Sequence, residues 1–240
     1  MNLAQARSHV QGENPATQPI SEAAAARGIT QLVHFTPLEN IIGMLSLGAL
    51  LPRRTLLEKA EVDQVTHLRD YLCLNDKMRL DYRTDCLNLS IQHPNSYLFS
   101  RFRSLHTACD LWVVLFLEPA LLDIPGTVFT VGNAASSAVR SHGTGEELAA
   151  FEALFAESVE TRFDRGPTSR RPGLAACYPT DIQAEVLLPH EVPLDEIVAF
   201  AVENEEHAAR LKALFRVSNY ADTAEKVVVN PALFSSTRSL

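Results

Sequence analysis

Several short stretches of the chain show either alternating apolar and polar residues or a short apolar run, and each predicts a β-strand. The predicted strands cover residues 29–36, 87–93, 111–117, 127–131, 183–188, 197–202 and 226–229. The stretch 111–117 is apolar on both faces, so we expect it to lie at the centre of a sheet.

Apolar residues at helical spacing predict helices between these strands. Residues 38–45 form the first such segment, with Thr36 as its N-cap, Pro37 at its first position and Gly48 as its stop. Further helices are predicted at 96–103, 146–159 and 205–215. Strands and helices do not alternate regularly, which favours an α+β fold over a doubly wound sheet.

The domain organisation follows from where this patterning begins. Residues 1–28 are rich in Ala, Gln, Ser and Asn and predict a mobile tail, within which 21–27 could form a short helix. Residues 29–240 have the length and apolar content of a single domain.

Composition limits the classes of function. The net charge of -8 excludes a global basic field, so any contact with nucleic acid must be local, through clustered arginines. The four cysteines are scattered without zinc spacing, which predicts reduced thiols and no metal site. We find no signal peptide and no apolar stretch long enough for a bilayer, so we expect a cytoplasmic protein without membrane contact.

Two segments carry candidate binding chemistry near the amino-terminal half. His34 and Thr36 lie at the end of a predicted strand, beside the amino terminus of a helix, which is a ready-made site for anions. His34 and Asn40, each taken alone, are more often structural residues. Arg79 and Arg83 are spaced by four in a charged segment that is either a solvated turn or a pair that grips phosphate.

Gln183 and Glu185 precede a short apolar run. In a strand they would project to the same face, and two polar groups there are costly unless a ligand occupies them. The alternative is a carboxylate at a sheet edge in water. The preceding loop, about 162–177, is rich in arginine, and a loop of this length is usually functional or disordered.

Four segments in this order resemble the DarT family of DNA ADP-ribosyltransferases, relatives of the poly(ADP-ribose) polymerase and diphtheria-toxin fold. The segments are His34-x-Thr36-x-x-x-Asn40 with Gly48, Arg79-Leu-Asp81, Val128-Phe-Thr130 with Asn133-Ala-Ala-Ser136, and Gln183-Ala-Glu185 with Val192-Pro193. The resemblance spans about residues 29–230. It implies a split, mixed or antiparallel β-sheet core with flanking helices.

The resemblance also implies the roles of individual residues in transfer of ADP-ribose from NAD. Glu185 would be the catalytic glutamate, and Arg79 would act with it by clamping NAD, with Arg83 as the competing choice. The expected NAD-binding set is His34, Phe35, Thr36, Asn40, Gly48, Arg79 and Arg83. The expected set for the acceptor is Gln183, Arg162, Arg165, Arg170, Arg171 and Asn133.

The acceptor implied by the resemblance is a base, thymine or guanine, in single-stranded DNA. Residues 87–91 depart from the aromatic, proline-containing strand of better-known members, and the acceptor loop matches poorly, so the acceptor can differ. Such an enzyme would be a bacterial toxin or phage-defence protein with an antitoxin that removes the mark or blocks the site. The alternatives are an RNA or protein acceptor, or a non-catalytic module that binds nucleic acid.

The sequence lacks the motifs of two other enzyme classes. The chain contains no Gly-x-Ser-x-Gly elbow of a hydrolase and no Gly-x-Gly-x-x-Gly of a Rossmann NAD site.

Overall fold

The computed structural model describes residues 18–62 and 82–235. The helices in this part of the chain are α1 (Ile20–Ala26), α2 (Leu38–Leu47), α3 (Arg53–Val62), α4 (Ser96–Leu105), α5 (Ser137–His142), α6 (Leu148–Ala153), α7 (Glu205–Val217) and α8 (Ala221–Ala224). Short 3-10 helices occur at Pro119–Asp123, Leu194–Glu196 and Pro231–Phe234.

Strands make up the core of the molecule. They are β1 (Leu32–Pro37), β2 (Ala49–Leu50), β3 (Leu87–Ile91), β4 (Trp112–Leu117), β5 (Val128–Thr130), β6 (Thr144–Gly145), β7 (Ser158–Val159), β8 (Thr168–Ser169), β9 (Glu185–Leu188), β10 (Val192–Pro193), β11 (Ala199–Val202) and β12 (Val227–Val229).

Eight of the strands in the described residues form one sheet, in the order β12-β11-β4-β1-β3-β9-β5-β6. Only β11 and β12 are parallel among these pairs, and the other neighbours are antiparallel. Strand β4 lies between β11 and β1 and is almost completely buried, as its apolar faces predicted. The expected α+β class, with a mixed sheet and flanking helices, is confirmed.

Strand β3 joins the two halves of the sheet. Its carboxyl-terminal residues Ser90 and Ile91 pair with β1, whereas residues 87–89 pair with β9. The ladder between β1 and β3 therefore stops at Val33, and the two strands separate beyond it. This split was expected from the family resemblance, and at the split His34 of β1 bonds the backbone of Asn88, whose side chain bonds Glu185 of β9.

Two apolar clusters cover the two faces of the β1–β4 region. The larger contains Leu32, Ile41 and Leu115 and extends to α7 and β9. The smaller contains Val33, Phe99 and Trp112, with Phe35 packed against it. Successive residues of β1 thus point to opposite clusters, as alternation in a strand requires.

Helix α2 begins one residue later than predicted. Pro37 belongs to β1 and is the N-cap, with extended backbone angles and no side-chain capping bond. The Thr36 hydroxyl accepts a hydrogen bond from Asn40 instead of capping the helix. The predicted stop is confirmed, because Gly48 has φ 74° and its N–H donates to the carbonyl of Met44.

The helix predicted over 146–159 is shorter in the structure and ends at Ala153. The carbonyl of Leu154 accepts from the N–H of Thr180 at 2.8 Å, and the carbonyl of Glu157 accepts from the N–H of Arg170 at 2.8 Å. These backbone groups bond to the following loop rather than to another helical turn. The apolar side chains of this segment still point into the core.

The described cysteines Cys86, Cys109 and Cys177 are thiols, in agreement with the prediction. The Cys109 thiol donates to a carboxylate oxygen of Glu39 at 3.1 Å. Burial, together with the Glu39 carboxylate, raises the pKa of Cys109 to about 12, so this thiol stays protonated at neutral pH. Within residues 18–62 and 82–235, no helix is long and apolar enough to cross a bilayer.

Helix α1 lies inside the segment predicted to be a tail, yet it packs on the domain. Ala23 and Ala24 are buried, and the Ser21 N–H donates to Asp123 at 3.1 Å. Arg27 forms an ion pair with Glu152 and lies over the ring of Phe155. The domain therefore begins before residue 28.

Replacing Ala24 by aspartate should lower the free energy of unfolding by on the order of 3 kcal/mol, because a charge would be buried without a partner. The matched control is Ala25→Asp, at an exposed position of the same helix. Chemical denaturation measures both variants. Equal stability of the two would show that α1 does not pack on the domain.

Candidate active site

Asn88, the second residue of β3, connects two of the candidate residues, His34 and Glu185. Its carbonyl oxygen accepts a hydrogen bond from His34 Nδ1 at 2.9 Å. Its side-chain Nδ2 donates to Glu185 Oε2 at 3.4 Å. The opening strand and the glutamate of β9 are thus brought to one place, on either side of the split in the sheet.

Glu185 is buried, with 7% of its surface exposed. The same Oε2 atom that meets Asn88 also accepts the backbone N–H of Ala134 at 3.3 Å. Strand β5 holds the glutamate from its other side, where Thr130 is its cross-strand partner. Two donors on one oxygen fix the direction of the carboxylate, and both donors are uncharged amides.

The hydrogen bond to Asn88 shows which ring nitrogen of His34 carries a hydrogen. A carbonyl oxygen only accepts, so Nδ1 of His34 carries the hydrogen. In the neutral imidazole Nε2 is then the accepting nitrogen. His34 is half-buried and lies just beyond the point where β1 and β3 stop pairing.

Thr36 and Asn40 form the next turn of the same segment. Asn40 Nδ2 donates to the buried Thr36 hydroxyl at 3.0 Å. Because Thr36 and His34 are two residues apart in β1, their side chains lie on the same face of the strand. The three expected residues His34, Thr36 and Asn40 are therefore neighbours on one face.

Two other residues expected to bind NAD have structural surroundings instead. Phe35 points to the opposite face of β1, where its ring stacks on Phe99 at 4.6 Å between centroids and lies near Trp112. Gly48 ends α2, and its carbonyl accepts the N–H of Leu194. Alternation and helix capping account for where Phe35 and Gly48 lie, and their contact with NAD stays a prediction.

Of the two candidate arginines, Arg83 alone lies in the described part of the chain. Arg79 lies outside the described residues. Arg83 donates from Nε to Asp85 at 3.2 Å and from a terminal nitrogen to the Cys86 sulfur at 3.0 Å. Partial burial works to lower the pKa of Arg83, but Cys86 and Asp85 outweigh it and raise that pKa.

A cleft of about 530 Å³ opens beside the Glu185 region. It is lined by Tyr97, Leu98, Arg101, Asn133, Ala135, Ser136, Ser137, Thr161, Arg162, Phe163, Asp164 and Gln183. Asn133 precedes the residue whose N–H meets Glu185, and Gln183 precedes Glu185 by two. The wall of the cleft is thus continuous in sequence with the buried carboxylate.

Gln183 lies in a turn rather than in β9, which begins at Glu185. Its backbone N–H donates to the buried carboxylate of Asp181 at 2.7 Å, which bends the chain before the strand. The prediction that strand alternation aligns Gln183 with Glu185 is therefore wrong, because the alternation starts only at Glu185. The turn nevertheless puts Gln183 in the cleft.

The four arginines of the long loop divide into two groups. Arg162, Arg165 and Arg171 are exposed, and Arg162 lines the cleft.

Arg170 is half-buried and holds the loop together. Its terminal nitrogens donate to the carbonyls of Tyr178 at 2.9 Å, Leu174 at 3.3 Å and Ala175 at 2.8 Å, and to the Thr180 hydroxyl at 3.3 Å. These bonds give Arg170 a structural role within the loop, and its contact with the acceptor stays a prediction.

Several residues of this region were not singled out from the sequence. Asn88 belongs to the atypical strand at residues 87–91, and Tyr97 belongs to the helix predicted at 96–103. Tyr97 and Phe163 are in fact 52% and 60% exposed, and both line the cleft with Arg101. An aromatic residue within an arginine-rich loop, as in Arg162-Phe163, is the signal that could have identified Phe163.

No group of three or more His, Cys, Asp or Glu side chains suited to a metal ion occurs within residues 18–62 and 82–235.

Comparison with solved structures shows the same fold. Thermus sp. 2.9 DarT in complex with NAD+ has a TM-score of 0.50 and 17% identity, covering 86% of this chain and 98% of that chain. The same protein in complex with ADP-ribosylated ssDNA has a TM-score of 0.50 and 17% identity, covering 87% and 97%. Thermosipho africanus DarTG in complex with ADP-ribose has a TM-score of 0.50 and 18% identity, covering 85% of this chain and 51% of that chain.

No curated protein matches the chain. The family model described as "ssDNA thymidine ADP-ribosyltransferase, DarT" matches residues 33–235, which is most of the 240-residue sequence. The chain belongs to the DarT family of single-stranded DNA thymidine ADP-ribosyltransferases.

Proposed function

We propose that this protein transfers ADP-ribose from NAD to a base of single-stranded DNA, with Glu185 as the catalytic residue. The observation that carries the proposal is the connection of Glu185 to His34 through Asn88, beside a cleft lined by arginines and exposed aromatic rings. This arrangement supports a site for NAD on one side of the Glu185 carboxylate and a site for DNA on the other.

The residues around the split in the sheet fit the nicotinamide riboside end of NAD. Its hydroxyl and carboxamide groups need hydrogen-bonding partners, which His34, Thr36 and Asn40 can supply. Asn88 Oδ1, beside them, is buried without a partner among the described residues, so packing in that part of the chain does not explain this polar side chain. The engagement of Arg83 with Asp85 and Cys86 supports Arg79 as the arginine that clamps NAD.

Glu185 has the position that the reaction requires. Transfer breaks the bond from the ribose carbon to nicotinamide and forms a bond from that carbon to a nitrogen of the base. Positive charge develops on the ribose in the transition state, as in glycoside hydrolysis. A buried carboxylate held by two amides stabilises this charge and can orient the attacking base or accept its proton.

The cleft suits single-stranded nucleic acid. A base must leave any duplex before its ring nitrogen can reach a ribose carbon. Tyr97 and Phe163 offer exposed rings for stacking, and Arg101 and Arg162 offer positive charge for the phosphates. Gln183 and Asn133 supply amide groups near the carboxylate, and exposed Arg165 and Arg171 extend the positive charge along the loop.

The acceptor base we propose is thymine, following the description of the family. Guanine is the second candidate, since residues 87–91 depart from the pattern of better-known members. An RNA or protein acceptor remains the alternative to DNA, and a binding module without catalysis is the alternative to an enzyme.

The biological role we propose is that of a toxin in a toxin–antitoxin or phage-defence system. An enzyme that marks the bases of DNA harms its own host unless it is countered. The similar Thermosipho africanus DarTG chain is about twice the length of the matched part, which supports a second unit acting with this one. We propose an antitoxin that hydrolyses the ADP-ribose mark or blocks the site.

Glu185→Gln should reduce transfer by about 10²- to 10³-fold, because a neutral amide cannot stabilise positive charge on the ribose. The isosteric side chain should preserve folding by circular dichroism. The control is Glu160→Gln, at an exposed glutamate before the acceptor loop. Mass spectrometry of an oligonucleotide after incubation with NAD measures transfer, and full activity of Glu185→Gln would contradict the assigned role.

Tyr97→Ala and Phe163→Ala should each weaken binding of a single-stranded oligonucleotide by about 5- to 100-fold, as expected for loss of one stacked base. Leu105→Ala is the matched control, since Leu105 is 65% exposed on the same helix as Tyr97 and is not among the residues that line the cleft. Fluorescence anisotropy measures affinity. Binding should also weaken with salt, and unchanged affinity of both aromatic variants would remove the cleft as the DNA site.

Homopolymeric single-stranded oligonucleotides should discriminate among the acceptors. With NAD present, the thymine strand should gain the mass of ADP-ribose, whereas adenine and cytosine strands should not. Transfer to the guanine strand alone would replace thymine by guanine. Transfer to RNA or protein alone would favour the alternative acceptors, and binding without any mass gain would favour the non-catalytic module.

A further inference from the structure

We infer that Asn88 is a positioning residue that orients both the donor-binding His34 and the catalytic Glu185 with the two ends of a single amino acid. This inference rests on the proposed function, and it assigns a role to a residue of the atypical strand β3.

The orientation of the Asn88 amide is fixed by chemistry. The oxygen and nitrogen of a side-chain amide are easily exchanged, but a carboxylate only accepts hydrogen bonds. The group that meets Glu185 Oε2 must therefore be the amide Nδ2, as observed at 3.4 Å. Asn88 is a neutral donor to the catalytic carboxylate.

The backbone of Asn88 lies at the branch in the sheet. Residue 88 pairs with Leu187 of β9, whereas β1 pairs with β3 only at Ser90 and Ile91. The Asn88 carbonyl is therefore not used in a ladder with β1 and accepts Nδ1 of His34 at 2.9 Å. Movement of this residue would shift His34 and Glu185 together.

The side chain of Asn88 is not explained by packing. Its Oδ1 atom is buried and has no hydrogen-bond partner within residues 18–62 and 82–235. A buried acceptor without a partner costs stability, typically about 1–3 kcal/mol. Retention of such a group beside a catalytic carboxylate is expected when it serves the reaction rather than the fold.

The side-chain amide and the backbone carbonyl of Asn88 meet different groups. Glu185 of β9 accepts from the amide and from the uncharged N–H of Ala134, whereas His34 of β1 bonds the carbonyl. A negative charge placed at residue 88 would therefore meet the Glu185 carboxylate, on the same residue whose backbone holds the imidazole.

Asn88→Asp tests the inference, because it preserves size while replacing the donor by a carboxylate. Two adjacent carboxylates cannot both ionise easily, so one of them binds a proton at higher pH. The acid limb of the pH–rate profile should move up by on the order of one pH unit. The kcat at pH 7 should fall by about 10- to 100-fold, the usual effect of losing an orienting partner, while the KM for NAD changes little.

The His34 imidazole provides a readout that needs neither NAD nor DNA. A carboxylate at residue 88 stabilises the charged imidazolium, so NMR titration of the NAD-free Asn88→Asp protein should show a higher pKa for His34 than in the wild type. The matched control is Asn204→Asp. Asn204 caps α7 by accepting the N–H of His207, a role that aspartate fills equally well.

Asn88→Ala is the second variant, and it keeps the backbone carbonyl for His34 while removing the amide donor. Its kcat should fall by about 10-fold or more without movement of the acid limb. An unmoved acid limb and an unmoved His34 pKa in Asn88→Asp, with kcat of both variants near that of the wild type, would overturn the inference. Variants that lose only stability would overturn it as well.

The activity of the wild-type protein distinguishes failure of the role of Asn88 from failure of the proposed function. If the wild type transfers ADP-ribose and both Asn88 variants behave like it, only the role of Asn88 fails. If the wild type transfers nothing to any acceptor, the proposed function fails, and the His34 titration still decides whether residue 88 faces that imidazole.

Discussion

The hydrogen bond from His34 to the carbonyl of Asn88 is the interaction on which the site depends. Strands β1 and β3 stop pairing just before it, and an imidazole rather than a backbone N–H meets the carbonyl at this point. A side chain can bridge a wider separation than a backbone pair. The sheet is therefore open at this point, although the Asn88 carbonyl is still hydrogen-bonded.

The carboxylate on the far side of this opening is fixed in direction by its strand and by amide donors. Glu185 belongs to a short strand held between β3 and β5, and amides from both sides converge on one of its oxygens. Preorganised dipoles of this kind require no rearrangement when charge develops on a substrate. The apolar residues that follow in β9 anchor the glutamate in the core.

The sequence was sufficient for the parts of the fold that depend on local patterns. Strand β4, the stop at Gly48 and the two-residue spacing of His34 and Thr36 all follow from alternation, backbone conformation and side-chain periodicity. It was insufficient where distant segments compete for the same backbone groups, as at Leu154, whose carbonyl bonds to Thr180 instead of continuing a helix. Asn88 could not be identified for the same reason, since its importance arises from strands that meet only in the folded chain.

The internal bonding of Arg170 has a consequence for how this protein can evolve. Because its guanidinium ties Tyr178, Leu174 and Ala175 together, the base of the loop has its shape before any nucleic acid arrives. The outer positions, including Arg162, Phe163 and Arg165, contribute little to that frame and are exposed. Changes at these outer positions leave the base of the loop unchanged, so this part of the surface can diverge between relatives without cost to folding.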